Sequence, residues 1–234
     1  MNTDNFKKDI STSYDKEAKL YIQKRPWMNS YIYTRLLYII NHLMNSVAPD
    51  GQKKCLNIGS GPGWLERILI HNPNLTLFSL DISYNMASMS NEFSESVVAD
   101  AEVLPFNNDS FDIIVTMRAI KFLDVHKLLI EIKNVLRSPG FLFIIFDCGD
   151  VLWARFLEKL GILVDVGINR KTLTTKNLLS ELKSFGFKFY AYYPITALPL
   201  SLFKYVPKAF WPFLRLIDLP KLWGARLNMI LCMQ

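Results

Sequence analysis

Cysteine is scarce in this sequence and is not clustered. The 234 residues contain three cysteines, and Cys55, Cys148 and Cys232 form no CxxC pair. Three widely separated cysteines argue against a disulfide framework and provide no zinc-binding spacing, so we expect no metal site. They also favour a reduced compartment, and we therefore expect a cytoplasmic protein.

A long uninterrupted apolar run is missing as well. The apolar segments at 31–40 and 151–168 are too short or too interrupted by charge, whereas a helix that spans a bilayer needs about 20 apolar residues. The first thirteen residues are mostly polar and do not resemble a signal peptide. We find no internal repeat and no low-complexity segment, and the apolar fraction of 50% argues against long disordered segments.

The chain does contain a regular alternation of predicted strands and helices. Such an alternation with short turns predicts an α/β protein with a mostly parallel, doubly wound sheet. The predicted strands are 54–58, 75–80, 97–99, 111–116, 141–146, 187–193 and 226–232. The predicted helices are 11–25, 28–46, 63–71, 84–93, 124–137, 150–160 and 174–185. We divide the chain into an N-terminal helical lid, 1–50, and a domain, 51–234, with substrate-side helical insertions in 150–224.

The first strand of the predicted sheet runs into three glycines at alternate positions. Gly59, Gly61 and Gly63 are followed by apolar residues that open a helix. Glycine lets the backbone turn sharply and approach a ligand, and the start of a helix presents free N–H groups and a positive dipole end. The spacing is G-x-G-x-G, with Trp64 where a dinucleotide fingerprint has its third glycine. The unit therefore indicates a nucleotide site and disfavours a dinucleotide.

Two carboxylates follow the next two strands. Asp81 ends the second strand, where it could accept both hydroxyls of a ribose, and Asp100 ends the third, where it could accept from an adenine amine. Each by itself could equally be a helix cap or a solvated charge. Because ligands of open α/β sheets bind outside the carboxyl ends of the strands, the two acids and the glycine loop together predict an adenosine pocket.

Four ordered segments give the sequence a resemblance to class I S-adenosylmethionine-dependent methyltransferases, particularly the small-molecule "type 11" group. They are LNIGSGPG, SLDIS, ADAEVLPFNNDSFDIIV and LLIEIKNVLRSPGFLFI, and they cover residues 54–147 densely. The resemblance implies a Rossmann-like, seven-stranded, mostly parallel sheet with helices on both faces and a helical insertion before the last strand. It also implies S-adenosylmethionine as the cofactor.

The resemblance implies a role for individual residues in binding the cofactor. The three glycines would lie beside its methionine portion, Asp81 would hold the ribose, and Asp100 with the Ala101 backbone would read the adenine edge. The full implied set is Asn57, Gly59, Ser60, Gly61, Gly63, Asp81, Ile82, Met86, Asp100, Ala101 and Thr116.

Two departures from the family pattern bear on the site. The family usually has Asp or Glu where Asn57 stands, and that acid helps to hold the ammonium group of the cofactor. Asn keeps the oxygen but loses the charge, so we expect weaker affinity. The segment after the fourth strand, which often carries a histidine in the family, has Lys121 instead, which removes a candidate base and adds a cation.

The substrate side is expected in residues 116–121 and on the N-terminal helix. We predict that Arg118 and Lys121 face an anionic group of the substrate, with surface charges at a helix start as the alternative. Tyr14 and Tyr21, seven residues apart, lie on one face of the first helix and complete the predicted substrate side. The sulfonium is already activated, so displacement needs alignment and exclusion of water more than a base. Asp147 and His126 are weak candidates for a general base.

The C-terminal part of the chain is basic. Residues 201–234 contribute +4 of the net charge of +6, and aromatic and basic side chains alternate within 198–223. Such a mixture suits a segment in a membrane interface, at the inner surface of the membrane, while its prolines exclude a spanning helix. A lid over the substrate pocket and a dimer contact are the alternatives.

The sequence favours a methyltransferase that acts by direct displacement on a small acceptor, which could be lipid-linked or apolar and acidic. Methylation of nucleic acid is disfavoured, because 116–119 reads TMRA rather than an Asn-Pro-Pro-aromatic clamp. A non-catalytic scaffold that binds the cofactor is the alternative from another class, and Asn57 allows it.

Overall fold

The computed structural model describes residues 3–24, 31–47, 51–147, 173–196, 210 and 227–234. The helices are α1 (Thr3–Lys24), α2 (Tyr31–Val47), α3 (Glu66–Leu69), α4 (Tyr84–Ser90), α5 (Val125–Val135) and α6 (Thr175–Ser184), and a 3₁₀ turn covers Ile120–Phe122. The strands are β1 (Lys53–Ile58), β2 (Leu75–Asp81), β3 (Glu95–Val98), β4 (Phe111–Met117), β5 (Leu136–Asp147), β6 (Lys188–Thr196) and β7 (Leu227–Met233).

The seven strands form one sheet in the order β3-β2-β1-β4-β5-β7-β6. Strands β1 to β5 pair in parallel, and β7 pairs antiparallel with both β5 and β6. The predicted mostly parallel, seven-stranded sheet is therefore confirmed. The central strand β1 lies between β2 and β4, so the order of strands reverses there. Their carboxyl ends face one edge of the sheet, where such folds bind ligands.

Helices cover both faces of the sheet. On one face, α5 and α6 contribute Leu128, Leu129, Ile132, Leu178 and Leu182 to a cluster with Leu56 and Ile58 of β1. On the other face, α2 contributes Leu36, Ile40, Leu43 and Met44 to a cluster with Cys55 and Leu69. Alternate residues of β1 thus enter opposite clusters, as strand geometry requires. The apolar side of α2 belongs to the core of the sheet.

Several element boundaries differ from the predicted ones. Helix α1 begins at Thr3 rather than residue 11, because its polar first turns make side-chain contacts with distant segments that local patterning does not show. The helix predicted for 63–71 is reduced to Glu66–Leu69, since Gly63 has a φ of 77°, outside the helical region. Strand β5 begins at Leu136 instead of residue 141, because Leu136 already pairs with Phe111.

Some predictions concern residues outside the described part of the chain. The helix predicted for 150–160, most of the insertion in 150–224 and the basic-aromatic segment 198–223 lie there, apart from 173–196 and Phe210. Within the described residues, no helix combines the length and apolarity needed to cross a membrane. The cytoplasmic location, the membrane contact and the division of the chain at residue 50 stay predictions.

Candidate functional site

The three glycines after β1 all have a positive φ, but they serve different needs. The φ angles are 71° at Gly59, 55° at Gly61 and 77° at Gly63, a region that L side chains rarely adopt. A Cβ on Gly59 would lie 2.3 Å from the Cβ of Ala119, and one on Gly63 would lie 2.9 Å from the Cα of Ser90. A Cβ on Gly61 would meet no atom within 4 Å. Packing therefore requires the outer two glycines, whereas Gly61 borders open space.

Asp81 ties the glycine loop to the end of β2. Its Oδ2 accepts a hydrogen bond from the Gly61 N–H at 2.8 Å, and its Oδ1 accepts one from the Ser83 N–H at 2.9 Å. Burial raises the pKa of Asp81, while these N–H donors oppose the shift. Each carboxylate oxygen can accept a second hydrogen bond, so Asp81 retains the capacity to bind a hydroxyl group beside Gly61.

Asp100 lies at the end of β3 in an ion pair with the N-terminal helix. The Lys7 Nζ is 2.5 Å from Asp100 Oδ2 and 2.7 Å from Glu102 Oε2. Burial lowers the pKa of Lys7, but hydrogen bonds and charge from the two carboxylates outweigh it and raise the pKa overall. Asp100 Oδ1 also accepts from the Glu102 N–H at 2.9 Å. The predicted adenine-reading residue is thus partly engaged by α1.

Helix α1 continues across the ends of β2 and β3. The Ser11 hydroxyl donates to the Ile82 carbonyl at 3.0 Å. Asp15 Oδ1 accepts from the Ser83 hydroxyl at 2.5 Å and from the Asn85 N–H at 3.0 Å. These contacts hold α1 directly over the start of α4.

The two tyrosines predicted for the substrate side lie on one face of α1. The ring centroids of Tyr14 and Tyr21 are 6.2 Å apart, and Tyr14 contacts the Phe122 ring edge-on at 6.0 Å. The contact with Phe122 brings this face of α1 to the segment that follows β4.

The remaining residues of the predicted cofactor set surround the same edge. Ser60 donates through its N–H to the Leu80 carbonyl at 3.0 Å. Met86 and Ala101 are buried, and so is Thr116 near the end of β4. The Thr116 Oγ1 has no hydrogen-bond partner among the described residues. The structure therefore brings together predicted residues from the ends of β1, β2, β3 and β4.

The opposite side of this edge carries two cations around one carboxylate. Asp147, at the end of β5, accepts from Arg118 Nε at 3.1 Å and from Lys121 Nζ at 3.0 Å through the same oxygen, Oδ2. Arg118 has a φ of 63°, and its N–H donates to the Ile145 carbonyl at 2.7 Å. A non-glycine residue in this region is strained and points to a functional constraint.

The charges of this cluster determine its protonation. Burial by itself would raise the pKa of Asp147, but the charges of Arg118 and Lys121 outweigh it and hold the pKa well below its usual range. A carboxylate so stabilised is a weak base. His126 lies on the surface, where its Nδ1 is 2.9 Å from Glu181 Oε1 and its side chain is 65% exposed. Neither residue has the environment of a general base.

Glu66 is a buried carboxyl group that the sequence analysis did not single out. The Asn57 Nδ2 donates to Glu66 Oε1 at 2.7 Å, and both residues are only 2% exposed. Burial raises the pKa of Glu66 to about 7, although the hydrogen bond from Asn57 opposes the shift. One sequence feature could have indicated that Glu66 is buried. It is an acid at the start of the helix after the glycine loop, among residues whose apolar spacing predicts burial.

The region around this site is similar to known proteins. A family model described as a methyltransferase domain matches residues 56–144, from the glycine loop into β5. An uncharacterized protein of Methanocaldococcus jannaschii is 32% identical over 151 residues, covering 63% of this chain and 55% of the relative. The match therefore spans only about half the length of that curated relative.

Two solved structures have a fold similar to that of this chain. The geranyl diphosphate C-methyltransferase of Streptomyces coelicolor A3(2), solved with Mg²⁺, geranyl diphosphate and S-adenosyl-L-homocysteine, is similar with a TM-score of 0.67 and 12% identity, covering 97% of this chain and 98% of that chain. A Thermotoga maritima S-adenosylmethionine-dependent methyltransferase, described as a possible histamine N-methyltransferase, gives a TM-score of 0.66 and 16% identity, with coverages of 93% and 97%. The expected class I methyltransferase fold is confirmed.

Proposed function

We propose, on the premise that residues 56–144 belong to the methyltransferase domain family, that this protein transfers the methyl group of S-adenosylmethionine to a small, apolar acceptor with an anionic group. The observation that carries the proposal is the pair of cations, Arg118 and Lys121, around the single carboxylate of Asp147. Two cationic side chains thus share one carboxylate beside the predicted cofactor pocket.

The residues at the ends of β1 to β4 fit the cofactor. Gly61 borders open space in which a Cβ would meet no protein atom within 4 Å, so the loop offers room for a ligand. Asp81 keeps free acceptor capacity for a ribose, and the buried Thr116 hydroxyl has no partner in the described part of the chain. When bound, S-adenosylmethionine supplies a methyl group on a positively charged sulfur, ready for displacement.

The substrate side accounts for an anionic acceptor. Asp147 occupies only part of the donor capacity of Arg118, because a guanidinium has five N–H donors in a planar fork. The Arg118, Lys121 and Asp147 side chains are 29%, 12% and 16% exposed. Their partial burial strengthens attraction for a phosphate or carboxylate. The similarity to a geranyl diphosphate methyltransferase supports an acceptor that combines a hydrocarbon chain with an anionic end.

The protein's own contribution to the reaction is alignment and exclusion of water. Asp147 orients Arg118, and α1 covers the edge of the site with Tyr14 and Tyr21. A lipid-linked acceptor fits the same proposal, because a phosphate attached to a long apolar chain has the same chemistry. Contact with the inner membrane surface through 198–223 would deliver such an acceptor.

Matched acceptors test the requirement for an anion. S-adenosylhomocysteine formation is measured with geranyl diphosphate against geraniol, and with decanoic acid against decanol. We expect turnover with an anionic member of a pair and none with its alcohol. Turnover of an alcohol at the same rate as its anionic partner contradicts the proposal. Cofactor binding without turnover of any acceptor would favour the non-catalytic scaffold.

An Arg118→Ala variant tests the assigned cation. We expect KM for the anionic acceptor to rise about tenfold, the loss expected for one charged hydrogen bond, with unchanged affinity for S-adenosylhomocysteine. Folding should be retained because Lys121 still neutralises Asp147. Lys183→Ala, at an exposed position of α6, is the control. An unchanged KM in Arg118→Ala would contradict the proposal that Arg118 binds an anionic group of the acceptor.

A further inference from the structure

We infer that Glu66, held by Asn57, is the carboxylate that binds the ammonium group in the methionine portion of the cofactor. The inference rests on the proposed function and adds a residue to its site. It reverses the expectation that replacing the usual acid by Asn57 leaves this part of the site uncharged.

The contact between the two side chains leaves two acceptor atoms unused. Asn57 Nδ2 donates to Glu66 Oε1 at 2.7 Å. Asn57 Oδ1 and Glu66 Oε2 are buried and have no hydrogen-bond partner among the residues that the structure describes. Buried polar atoms in folded proteins are nearly always hydrogen-bonded, so two unpaired oxygens in one contact require an explanation. A ligand with several N–H donors would supply it.

The pair lies at the base of the glycine loop. Asn57 precedes Gly59 by two residues on β1, and Glu66 begins α3 three residues after Gly63. The charge of Asp81 adds to the rise in the pKa of Glu66, which places the two carboxyl groups within electrostatic reach of each other. Asp81 in turn binds the Gly61 N–H. Glu66 therefore lies near the carboxyl group predicted to bind the ribose, at the base of the same glycine loop.

The described residues supply no cation to Glu66. The neighbouring Arg67 turns away: its guanidinium lies 4.6 Å from the centroid of the Phe93 ring and approaches Glu92 at 4.0 Å. A buried carboxylate without a counter-ion is destabilised relative to its protonated form. An ammonium group would provide both the missing charge and the donors for the two unused oxygens.

The arrangement also explains why Asn57 is compatible with binding. The Asn57 amide donates to one oxygen of Glu66 and so orients the carboxylate. The charge that the family usually carries at position 57 is thereby carried nine residues later, at the same depth in the protein. Paired substitutions at positions 57 and 66 can therefore move the negative charge from one position to the other.

Calorimetry with two ligands tests the assignment. S-Adenosylhomocysteine carries the ammonium group, whereas 5′-methylthioadenosine has the same adenosine and a thioether but no amino acid portion. We expect Glu66→Gln to weaken the binding of S-adenosylhomocysteine about tenfold or more, as for loss of a charged hydrogen bond. The affinity for 5′-methylthioadenosine should stay unchanged. Asn57→Asp combined with Glu66→Gln moves the charge back and should restore most of the loss.

Three results would overturn the inference. They are equal weakening of both ligands by Glu66→Gln, no weakening of either, and no recovery in the double variant. If the wild-type protein binds neither ligand, the proposed function itself fails and the inference fails with it. Selective loss of S-adenosylhomocysteine binding without acceptor turnover would instead support Glu66 and count against catalysis alone.

A measurement on the wild-type protein avoids dependence on the folding of variants. Binding of S-adenosylhomocysteine near pH 6.5, compared in buffers of different ionisation enthalpy, should release a proton that 5′-methylthioadenosine does not release. Within the described part of the chain, Cys55 and Asp81 also interact electrostatically with Glu66. Burial raises the pKa of Cys55 far above this pH, and Asp81 meets the ribose of both ligands. Equal proton release with the two ligands would contradict the inference.

Discussion

Glu66 and Asp147 are two largely buried carboxyl groups of the candidate site, and their surroundings are opposite. Glu66 has an amide partner and no cation within the described residues, and its pKa is raised to about 7. Asp147 accepts from Arg118 and Lys121, and its pKa is lowered. Burial therefore raises the pKa of a buried carboxyl group only where no cation outweighs it.

The difference divides the site by charge. The start of α3 and the end of β2 carry Glu66 and Asp81, which suits a cofactor with a sulfonium and an ammonium group, whereas Asp100 at the end of β3 is paired with Lys7. At the ends of β4 and β5, the two cations Arg118 and Lys121 share the single carboxylate of Asp147. Under the proposed function, the cations Arg118 and Lys121 would hold an anionic acceptor at the ends of β4 and β5, apart from the carboxylates proposed to bind the cofactor.

Removing the carboxylate from the positive side should have the largest effect on stability. Asp147→Asn removes the carboxylate that pairs with both Arg118 and Lys121, so we expect the free energy of unfolding to fall by about 3–5 kcal/mol. Urea denaturation measures the change. Asp112→Asn is the control, because the partner of Asp112, Arg137, is 43% exposed and such a pair contributes only about 1 kcal/mol. Equal losses of unfolding free energy in Asp147→Asn and Asp112→Asn would contradict the conclusion that the buried carboxylate of Asp147 contributes more to stability.

Removing the negative charge of Glu66 should stabilise the ligand-free protein. The pKa of Glu66 rises from 4.5 to about 7 on folding, so its contribution to stability is fully present below pH 4.5 and is lost as the pH rises through 7. At pH 8, Glu66→Gln should raise the free energy of unfolding by about 3 kcal/mol, since the pKa rises from 4.5 to about 7 and one pKa unit corresponds to about 1.4 kcal/mol.

The pH dependence separates this effect from a general change in packing. The advantage of Glu66→Gln over the wild type should disappear on going to pH 4.5, the ordinary pKa of a glutamate. Glu92→Gln, at a side chain that is 70% exposed, should change nothing at either pH. A Glu66→Gln variant less stable than the wild type at pH 8 would show that the carboxylate has a counter-ion after all.

The smallest change in stability is expected at Gly61, where the effect falls on binding. Gly61→Ala adds a methyl group to open space at a φ of 55°, so the free energy of unfolding should fall by only about 1–2 kcal/mol. The methyl group would occupy the cofactor pocket, and affinity for S-adenosylhomocysteine should fall at least about tenfold.

Gly51→Ala provides a matched control for this variant. Gly51 has a φ of 75° and also no atom within 4 Å of an added Cβ, but it lies in the turn before β1. The two variants should lose similar stability, and only Gly61→Ala should lose binding of S-adenosylhomocysteine measured by calorimetry. Equal affinities in the two variants would place the ligand away from the glycine loop.

The sequence predicted the positions of those polar residues that come directly after a strand. The apolar runs of β1, β2 and β4 and the residues that follow them are adjacent in the chain, and the sheet brings their carboxyl ends to one edge. Gly59, Asp81 and Asp100 could therefore be expected to lie together before any contact was known. The apolar spacing of α5 also identified its buried face, Leu128, Leu129, Ile132 and Val135.

The partners of these residues could not be predicted in the same way. Lys7 reaches Asp100 across 93 positions, and Asp147 meets Arg118 across 29. The first turns of α1 carry no strong apolar pattern, so nothing local indicates that the helix begins at Thr3 or crosses β3. The local sequence around Glu66 shows only an acid at the start of a helix, where the helix dipole favours a negative charge.

By itself, the sequence determined the α/β class, the glycine loop and the carboxylates that follow the strands, because these depend on local conformation and on the alternation of apolar and polar residues. Only the tertiary structure decided which buried carboxyl group has a counter-ion. That choice depends on side chains brought together from distant positions by strand register and helix packing, and the same residue type consequently has a raised pKa at Glu66 and a lowered one at Asp147.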